Sequence, residues 1–341
     1  MPRCGSQITL CDLPIRFDTY KGCSHLCRYC FTRKKTDLSN IEKGETAKAL
    51  RDFINGKRTN ETNWCDWEIP LHWGGMSDPF QPAERQHKLS LECLKVFQET
   101  QYPFVVSTKG RLICEDEYLE ILKGCNCVVQ ISLVCPEYDK LEPGAPAFSE
   151  RLDMIQTLAK YKRVNVRIQP YMTEVHDSIM QSIKQIAKAG AYGVIVEGMK
   201  FAKKKAGLVR VGGDWCYPID ELQPRYAEIK AEAHRLGMKF YSGENRLRDM
   251  GDDLCCCGID GMEGFKGNGF NICHIMNGQT EKPTESMTQE GSAGAFCTLY
   301  QMAGISQHIK EYSLRDMMLS EITNKPEYYR EIFGKDKDIR P

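Results

Sequence analysis

Three cysteines near the N-terminus, Cys23, Cys27 and Cys30, are spaced C-x3-C-x2-C in a segment that follows a predicted strand. Thiolates are the standard ligands of iron–sulfur clusters. Three of them hold three corners of a [4Fe–4S] cube and leave one iron open to a substrate or cofactor. Tyr29, directly before the third cysteine, can shield such a cluster. The spacing therefore predicts an iron–sulfur centre with one open position.

Zinc is the alternative metal for this loop. A structural zinc site takes four protein ligands. His25, between the first two cysteines, is the residue that could complete the set. Its place inside so tight a loop is poorly suited to closing a tetrahedron. The sequence favours the cluster and leaves zinc open.

The composition is that of a globular protein with many cysteines. Of 341 residues, 41% are hydrophobic and 27% charged, and 46 basic residues balance 46 acidic ones, which leaves no net charge. No run of about 18 apolar residues predicts a membrane span, and Met1–Cys4 does not open a signal peptide. The 17 cysteines are an odd number and favour metal or redox chemistry over disulfides in a reducing compartment. We therefore expect a cytoplasmic protein without a membrane partner.

Apolar runs with strand character alternate with helical spacing over the first 241 residues. The predicted strands are Leu10–Phe17, Ile69–Gly74, Phe104–Thr108, Cys127–Leu133, Val164–Gln169, Gly193–Val196 and Met238–Tyr241. The predicted helices are Glu45–Ile54, Ala83–Gln98, Glu115–Leu122, Ser149–Tyr161, Ile179–Ala189 and Ile219–Leu236. Such alternation is typical of parallel βαβ units. Since no strand runs into a GxGxxG turn, it predicts an α/β fold, a partial (β/α)6-type barrel. We expect this barrel over 1–241 and a Cys/Gly-rich loop with a helical extension packed on it over 242–341.

The cluster motif resembles that of the radical S-adenosylmethionine (SAM) superfamily, whose C-x3-C-x-aromatic-C pattern matches Cys23, Cys27, Tyr29 and Cys30. The resemblance implies a [4Fe–4S] cluster whose open iron chelates SAM. It also implies reductive cleavage of SAM to methionine and a 5′-deoxyadenosyl radical, which abstracts a hydrogen atom from substrate. A flavodoxin- or ferredoxin-type protein would donate the electron. A partial barrel is the usual fold of the superfamily, which agrees with the strand count.

The same resemblance implies a set of SAM contacts. The end of the second strand resembles the superfamily's GGE-type motif, with methionine where glutamate is common, so only its backbone role transfers. An arginine on the fifth strand can pair bidentately with the SAM carboxylate, and a structural ion pair is the alternative. The run Gly193–Gly198 resembles the adenine-binding strand. The implied contacts are Tyr29, Gly74, Gly75, Met76, Ser132, Arg167 and Val196.

Two strings point to one branch of the superfamily. SDPFQPAE at 77–84 and STK at 107–109 resemble the spore photoproduct lyase-like branch. The lyase itself uses a cysteine near its substrate as hydrogen-atom donor, and Cys114 and Cys135 are the candidates by position. Lys109, at a strand end, is the candidate contact for a substrate phosphate or carboxylate. The chain departs from the lyase in that its cluster loop lies close to the N-terminus.

A second group of cysteines follows the last predicted strand. Cys255, Cys256 and Cys257 are adjacent and are followed by Cys273. Three adjacent thiols cannot all face one core, and we expect cysteines to order this glycine-rich segment. Many radical SAM enzymes carry auxiliary clusters, so a second iron–sulfur cluster is one interpretation, with His274 or Cys216 as a further ligand. Zinc and a site without metal are the others.

Basic residues and aromatic side chains allow a nucleic-acid site, although a solvated surface explains them as well. The basic residues are Arg28, Arg33, Lys34, Lys35, Lys200, Lys203, Lys204, Lys205 and Arg210, and the aromatic ones are Trp67, Trp73, Trp215 and Tyr217. The sequence thus predicts a radical SAM enzyme acting on a nucleic-acid base or nucleotide. The alternatives are a radical SAM enzyme for a peptide or small metabolite, aided by a second cluster, and a metal-binding module without catalysis.

Overall fold

The computed structural model describes residues 1–4, 11–57, 69–265, 272–277 and 324–333. Its strands are β1 (Arg3–Cys4), β2 (Ile15–Phe17), β3 (Tyr20–Lys21), β4 (Glu42–Lys43), β5 (Leu71–Trp73), β6 (Phe104–Thr108), β7 (Cys127–Ser132), β8 (Arg163–Tyr171), β9 (Gly193–Gly198), β10 (Val209–Val211), β11 (Asp214–Cys216) and β12 (Lys239–Ser242). Its α-helices are α1 (Ala47–Ile54), α2 (Glu84–His87), α3 (Leu89–Thr100), α4 (Asp116–Lys123), α5 (Phe148–Leu158), α6 (His176–Lys188), α7 (Ile219–Arg235), α8 (Ile272–Met276) and α9 (Pro326–Phe333). None of these described helices is long and apolar enough to cross a membrane.

The main described sheet has seven parallel strands that lie side by side in chain order, β2-β5-β6-β7-β8-β9-β12, with β1 antiparallel to β2 at one edge. The six connections between successive parallel strands carry α1, then α2 and α3, then α4, α5, α6 and α7. Six strand–helix units followed by a seventh strand form a partial (β/α)6-type barrel. The predicted fold is therefore confirmed, because each βαβ unit adds its strand beside the previous one.

The side of the sheet that faces the helices is apolar. The ring of Phe104 on β6 stacks on Phe97 of α3 with centroids 4.0 Å apart, and the Trp73 ring on β5 lies 5.6 Å from Phe97. All three side chains are fully buried. Burial of a large apolar side chain contributes about 1.5–3 kcal/mol, so this layer holds the helices to the sheet.

The other side of the sheet is polar, because successive side chains of a strand point to opposite faces. His72 precedes Trp73, and Ser107 lies three residues after Phe104, so both point away from the helices. Hydrogen bonds connect these side chains to others on the same face, as described below. A polar interior in an otherwise apolar barrel marks the position of the candidate site.

Each of the seven predicted strands overlaps a strand of the main sheet, and β6 has the predicted bounds. Of the predicted strand Leu10–Phe17, only Ile15–Phe17 is a strand, and Leu10 lies outside the described residues. The predicted helix Ala83–Gln98 is instead two helices, α2 and α3, because Lys88 adopts a left-handed φ of 52°. The Glu84 carboxylate accepts the backbone N–H groups of Ser90 at 3.0 Å and Leu91 at 2.9 Å. It thereby caps α3, which makes the break a stable feature.

The sequence suggested that cysteines order the segment after β12. In the structure, hydrogen bonds from side chains of the sheet hold part of this segment. The side-chain amides of Gln130 and Asn165 donate to the carbonyl oxygens of Cys257 at 3.0 Å and Gly258 at 3.2 Å. The cysteine-rich loop therefore lies against the polar side of the barrel. Of the predicted helical tail, only α9 falls within the described residues, and the domain boundary at residue 241 stays a prediction.

Candidate active site

The cluster loop lies between β3 and a short 3-10 helix at Phe31–Lys34. The backbone N–H of Leu26 donates to the carbonyl of Cys23, and that of Cys30 to the carbonyl of Cys27, each at 3.2 Å. The Arg33 side chain donates from Nε to the Cys27 carbonyl at 2.8 Å. Two tight turns, braced by one arginine, thus hold the three cysteines in one loop.

His25 is already engaged by partners outside the loop, which bears on the choice of metal. Its Nδ1 lies 2.9 Å from the carbonyl oxygen of Gly144, and its Nε2 lies 3.1 Å from Oδ2 of Asp78. Both ring nitrogens therefore face groups other than the cysteines. The zinc interpretation loses its fourth ligand, because a histidine held in this way cannot turn a nitrogen toward a metal in the loop.

The three cysteines of the cluster loop are free thiols in the structure. Burial, together with the nearby Asp78 carboxylate, raises the pKa of Cys23 to about 12. Burial raises the pKa of Cys27 as well. These thiols therefore hold their protons at neutral pH in the metal-free chain, and a bound metal would displace them. Among the described residues, no three His, Cys, Asp or Glu side chains converge on one metal-ion position.

The string at 77–84 holds the cluster loop. The side-chain oxygen of Gln81 accepts the backbone N–H of Ser24 at 2.9 Å, and its amide nitrogen donates to the carbonyl of Gly22 at 3.3 Å. The hydroxyl of Ser77 donates to the same carbonyl at 2.5 Å. The residues that carry the branch resemblance are thus the support of the cluster loop.

Asp78 connects the two strings of the resemblance. Its carboxylate accepts the Thr108 hydroxyl at 2.6 Å, the backbone N–H of Lys109 at 2.6 Å and the backbone N–H of Phe80 at 2.9 Å. Burial opposes ionisation, but His25 and these donors hold the pKa of Asp78 at about 2. A permanent carboxylate therefore joins the end of β6 to the cluster loop.

Tyr29 and Lys109 meet at one buried carboxylate, that of Glu142, which is only 1% exposed. The Tyr29 hydroxyl donates to it, the Lys109 ammonium lies 3.7 Å from it, and Arg151 pairs with it at 2.6 Å. Burial lowers the pKa of Lys109, but Glu142 and the neighbouring Cys27 raise it, and the net shift is upward. Lys109 thus lies beside the cluster loop as a permanent cation.

The glycines after β5 lie close to neighbouring backbone. Gly74 has a φ of 86°, and a Cβ there would stand 2.3 Å from the carbonyl oxygen of Ser107. The backbone N–H of Met76 donates to Asp18 at 3.0 Å, and the Met76 sulfur accepts from Arg16 at 3.3 Å. Gly75 also lies beside the Arg16 side chain. Burial raises the pKa of Asp18 to about 7.

A chain of hydrogen bonds crosses the polar face from β5 to β9. His72 Nε2 contacts the Ser107 hydroxyl at 2.9 Å, and that hydroxyl donates to Gln130 at 2.8 Å. Arg167 donates to Gln130 and to Gln169, each at 2.9 Å. Burial, followed by Arg167 and Arg16, lowers the pKa of His72 to about 3. The imidazole is therefore neutral. Gln169 donates in turn to Glu197 of β9 at 2.5 Å, so the charges of this face are those of the arginines and of this carboxylate.

Ser132 and Val196 lie on the strands on either side of β8. Ser132 is the register partner of Arg167, and its carbonyl accepts from Arg151 at 2.8 Å. Val196 is fully buried, and its carbonyl accepts the backbone N–H of Gly243 at 2.7 Å. The structure thus brings Ser132 next to the arginine of the polar face, while the carbonyl of Val196 is already paired.

Cys114 and Cys135 lie apart from the polar chain of the interior. The Cys114 thiol is directed at the carbonyl of Met154 on α5, 3.9 Å away. The Cys135 thiol hydrogen-bonds with Glu137 and with Ser178 on α6. Both cysteines therefore contact the helix layer. Cys256, by contrast, lies within electrostatic range of Arg167.

The basic residues named from the sequence separate into different environments. Lys200 pairs with Glu197 at 2.6 Å, while Lys204 lies over the Trp215 ring at 5.5 Å and Lys205 over the Phe201 ring at 4.5 Å. Trp67 lies outside the described residues. Lys204 and Lys205 are thus exposed and lie against aromatic rings near the β10–β11 hairpin.

Sequence reasoning missed Arg16, Glu142 and Cys11, whose thiol hydrogen-bonds with that of Cys257. Arg16 carried a usable signal, since a charged residue inside an apolar strand is costly unless paired. Glu142 lies in a polar stretch and Cys11 in no motif. Their roles depend on contacts between segments far apart in the chain.

No protein-family model matches the chain. It is 29% identical, over 232 residues, to uncharacterized proteins of Mycobacterium tuberculosis and Mycobacterium bovis, an alignment of 64% of this chain and 68% of theirs. A protein of Methanocaldococcus jannaschii is 23% identical over 41% of this chain and 52% of its own.

Solved structures of spore photoproduct lyase variants share the fold at 14% identity. One variant superposes with a TM-score of 0.57, covering 70% of this chain and 78% of that one. Another, with bound AdoMet and dinucleoside spore photoproduct, gives 0.53 and covers 67% and 76%. The chain therefore has the partial-barrel fold of a radical SAM enzyme and is similar to spore photoproduct lyase, as its sequence indicated.

Proposed function

We propose that this protein is a radical SAM enzyme. The observation that carries the proposal is the cluster loop. Its three cysteines lie in consecutive tight turns, and the histidine of the loop, His25, already contacts Asp78 and Gly144. Such a loop leaves one iron of a cube without a protein ligand. A bound [4Fe–4S] cluster would supply the electron that cleaves SAM to methionine and a 5′-deoxyadenosyl radical.

The residues around the loop would bind and orient SAM. The backbone at Gly74–Met76 offers carbonyl groups to the amino group. Arg167, with Ser132 beside it, would receive the carboxylate in exchange for its present glutamine partners. The Tyr29 ring and the strand at Val196 would flank the ligand. Because His72 is neutral, the charges that a ligand would meet on this face are those of the arginines and of Glu197.

We propose a nucleic-acid base or nucleotide as the substrate. Three observations support it. The chain has the two sequence strings of the spore photoproduct lyase-like branch, and exposed lysines lie along β10–β11. A spore photoproduct lyase variant of similar fold binds a dinucleoside spore photoproduct. A peptide or small metabolite is the second candidate. The absence of net charge favours it, since nucleic-acid-binding proteins usually carry a basic surface.

Cys114 and Cys135 stay candidate hydrogen-atom donors, and Lys109 stays a candidate contact to the substrate. We propose a flavodoxin- or ferredoxin-type electron donor. We also propose a cytoplasmic location, because 17 cysteines stay reduced there.

The first experiment measures 5′-deoxyadenosine after anaerobic reconstitution, chemical reduction and addition of SAM. We expect product from the wild type and a loss of at least 100-fold in Cys27→Ala. Cys93→Ala, a buried cysteine on α3, is the matched control and should keep both iron and product. Equal product from Cys27→Ala and wild type would overturn the proposal.

A second experiment separates the substrates. Binding of single-stranded oligonucleotides is measured by mobility shift while salt is varied. Phosphate contacts predict a slope of log K against log salt of about −0.7 per contact. A flat salt dependence would favour the peptide or metabolite.

A further inference from the structure

The most exposed large apolar side chain of the described residues lies on the cluster loop. Phe31 is 55% exposed and directly follows Cys30 in the chain. Thr32, the next residue, is buried, and its hydroxyl lies 2.8 Å from the Cys30 sulfur. Single exposed rings are common on protein surfaces, so the meaning of Phe31 depends on its surroundings.

Cations surround the Phe31 ring. In a chain without net charge, the segment 28–40 has one acidic residue, Asp37, and four basic ones, Arg28, Arg33, Lys34 and Lys35. All five of these side chains are exposed. Phe31 and Lys34 begin and end a 3-10 helix, and side chains three residues apart lie on the same side of such a helix. The aromatic ring and the Lys34 side chain therefore share one face.

A distant segment adds another cation beside the loop. The backbone N–H of Arg28 donates to the carbonyl of Leu141 at 2.8 Å, which brings the exposed Lys140 next to the cluster loop. The acidic neighbours of Lys140 are engaged elsewhere, since Asp139 and Glu142 pair with Arg151 at 3.3 Å and 2.6 Å. Within the described part of the chain, no ion pair neutralises the basic side chains of what we call the loop patch, which consists of Arg28, Phe31, Lys34, Lys35 and Lys140.

The loop patch fits a protein partner with an acidic surface. Exposed cations attract an acidic protein and raise the rate at which it associates. One exposed ring offers a small apolar contact, which suits the small interfaces of transient redox complexes. A partner on Phe31 would lie one residue from Cys30, a closeness that matters to a protein exchanging electrons with a cluster held there. It would make no difference to a nucleic acid, the other polyanion that basic residues attract.

We infer that the loop patch is the docking surface for an acidic one-electron carrier protein of the flavodoxin or ferredoxin type. The inference rests on the proposed function, because it needs a cluster at Cys23, Cys27 and Cys30. In each encounter the reduced carrier loses one electron and the cluster gains it, while no proton moves and no bond forms or breaks. Arg33 is left out of the patch, because its guanidinium braces the loop itself through the carbonyl of Cys27.

The test compares two reductants. Formation of 5′-deoxyadenosine is measured with dithionite, and with a bacterial flavodoxin that NADPH and flavodoxin reductase keep reduced. We expect Lys34→Glu/Lys35→Glu to match the wild type within about 2-fold with dithionite and to lose at least about 10-fold in rate with subsaturating flavodoxin. Lys184→Glu/Lys188→Glu makes the same charge change at exposed positions of α6, and this matched control should keep both rates. Added salt should slow the flavodoxin reaction alone.

Cross-linking locates the docking surface without depending on turnover. A water-soluble carbodiimide joins carboxylates of bound flavodoxin to neighbouring lysines, and peptide mapping identifies those lysines. We expect cross-links at Lys34, Lys35 and Lys140. Phe31→Ser should lower their yield, and Phe31→Leu, which keeps an apolar contact, should restore most of it.

The outcomes separate this inference from the proposed function. If dithionite supports product formation and neither a flavodoxin nor a ferredoxin does, or if Lys34→Glu/Lys35→Glu keeps the flavodoxin rate of the wild type, the docking surface is wrong and the radical SAM proposal stands. Loss of oligonucleotide binding in this variant, with an unchanged flavodoxin rate, would assign the patch to a nucleic acid and overturn the inference. If flavodoxin cross-links to the patch and no 5′-deoxyadenosine forms with either reductant, the proposed function fails and the docking surface stands.

Discussion

Replacing Asp78 by asparagine tests how the cluster loop is held. The folded-state pKa of Asp78 is about 2 against an ordinary value of 3.8. Since one pKa unit corresponds to about 1.4 kcal/mol, ionised Asp78 stabilises the folded chain by about 2 kcal/mol at pH 7. Asparagine keeps an acceptor for the Thr108 hydroxyl, but its amide cannot accept the backbone N–H of Lys109 or pair with His25. We therefore expect Asp78→Asn to lose about 2–4 kcal/mol.

The pH dependence gives the sign of this effect. A depressed carboxyl pKa contributes stability that is fully present above the unfolded-state value and is lost as pH falls toward the folded-state value. The difference between wild type and Asp78→Asn should thus be constant from pH 7 to pH 5. It should shrink by about 1 kcal/mol at pH 3.

The assay is anaerobic urea unfolding at each pH, with iron content recorded in parallel. Asp153→Asn is the control, because Asp153 is exposed on α5 and should cost less than about 0.5 kcal/mol. A loss below about 1 kcal/mol for Asp78→Asn, or a loss that does not change with pH, would refute the role assigned to this carboxylate.

Three further predictions concern charge, backbone and ligand binding. Glu142→Gln leaves the buried Lys109 without its paired anion and Arg151 with only the partly exposed Asp139, and it should cost about 3–5 kcal/mol in urea unfolding. The exposed pair partner Glu99→Gln should cost below about 1 kcal/mol. Gly74→Ala should lower the unfolding temperature by several degrees more than Gly56→Ala, because both glycines have positive φ but only the first would meet a carbonyl oxygen. Arg167→Gln should weaken SAM binding, measured by calorimetry, at least 10-fold with little change in unfolding. Equal losses of stability in Glu142→Gln and Glu99→Gln, or in Gly74→Ala and Gly56→Ala, would contradict these assignments. An unchanged SAM affinity of Arg167→Gln would contradict the role of that arginine.

The fold was predictable because its signal is local and repeated. Seven apolar runs separated by helical spacing specify a parallel α/β sheet in chain order, since each unit must pack beside the last. The break at Lys88 was not predictable from spacing, because it depends on the Glu84 carboxylate capping the next helix. The apolar spacing over this segment is that of one continuous helix and does not indicate the cap.

The sequence alone predicted the ligand set of the cluster loop, since Cys23, Cys27 and Cys30 lie within eight residues of one another. It also placed Arg167 on the polar face, because a charge in an apolar strand must find partners. Only the tertiary structure decided what His25 does, which carboxylate Lys109 meets, and that Cys11 joins Cys255–Cys257 and Cys273. The physical reason is that each of these contacts joins segments that are far apart in the chain and become neighbours only when the sheet forms. No local sequence pattern encodes such a contact.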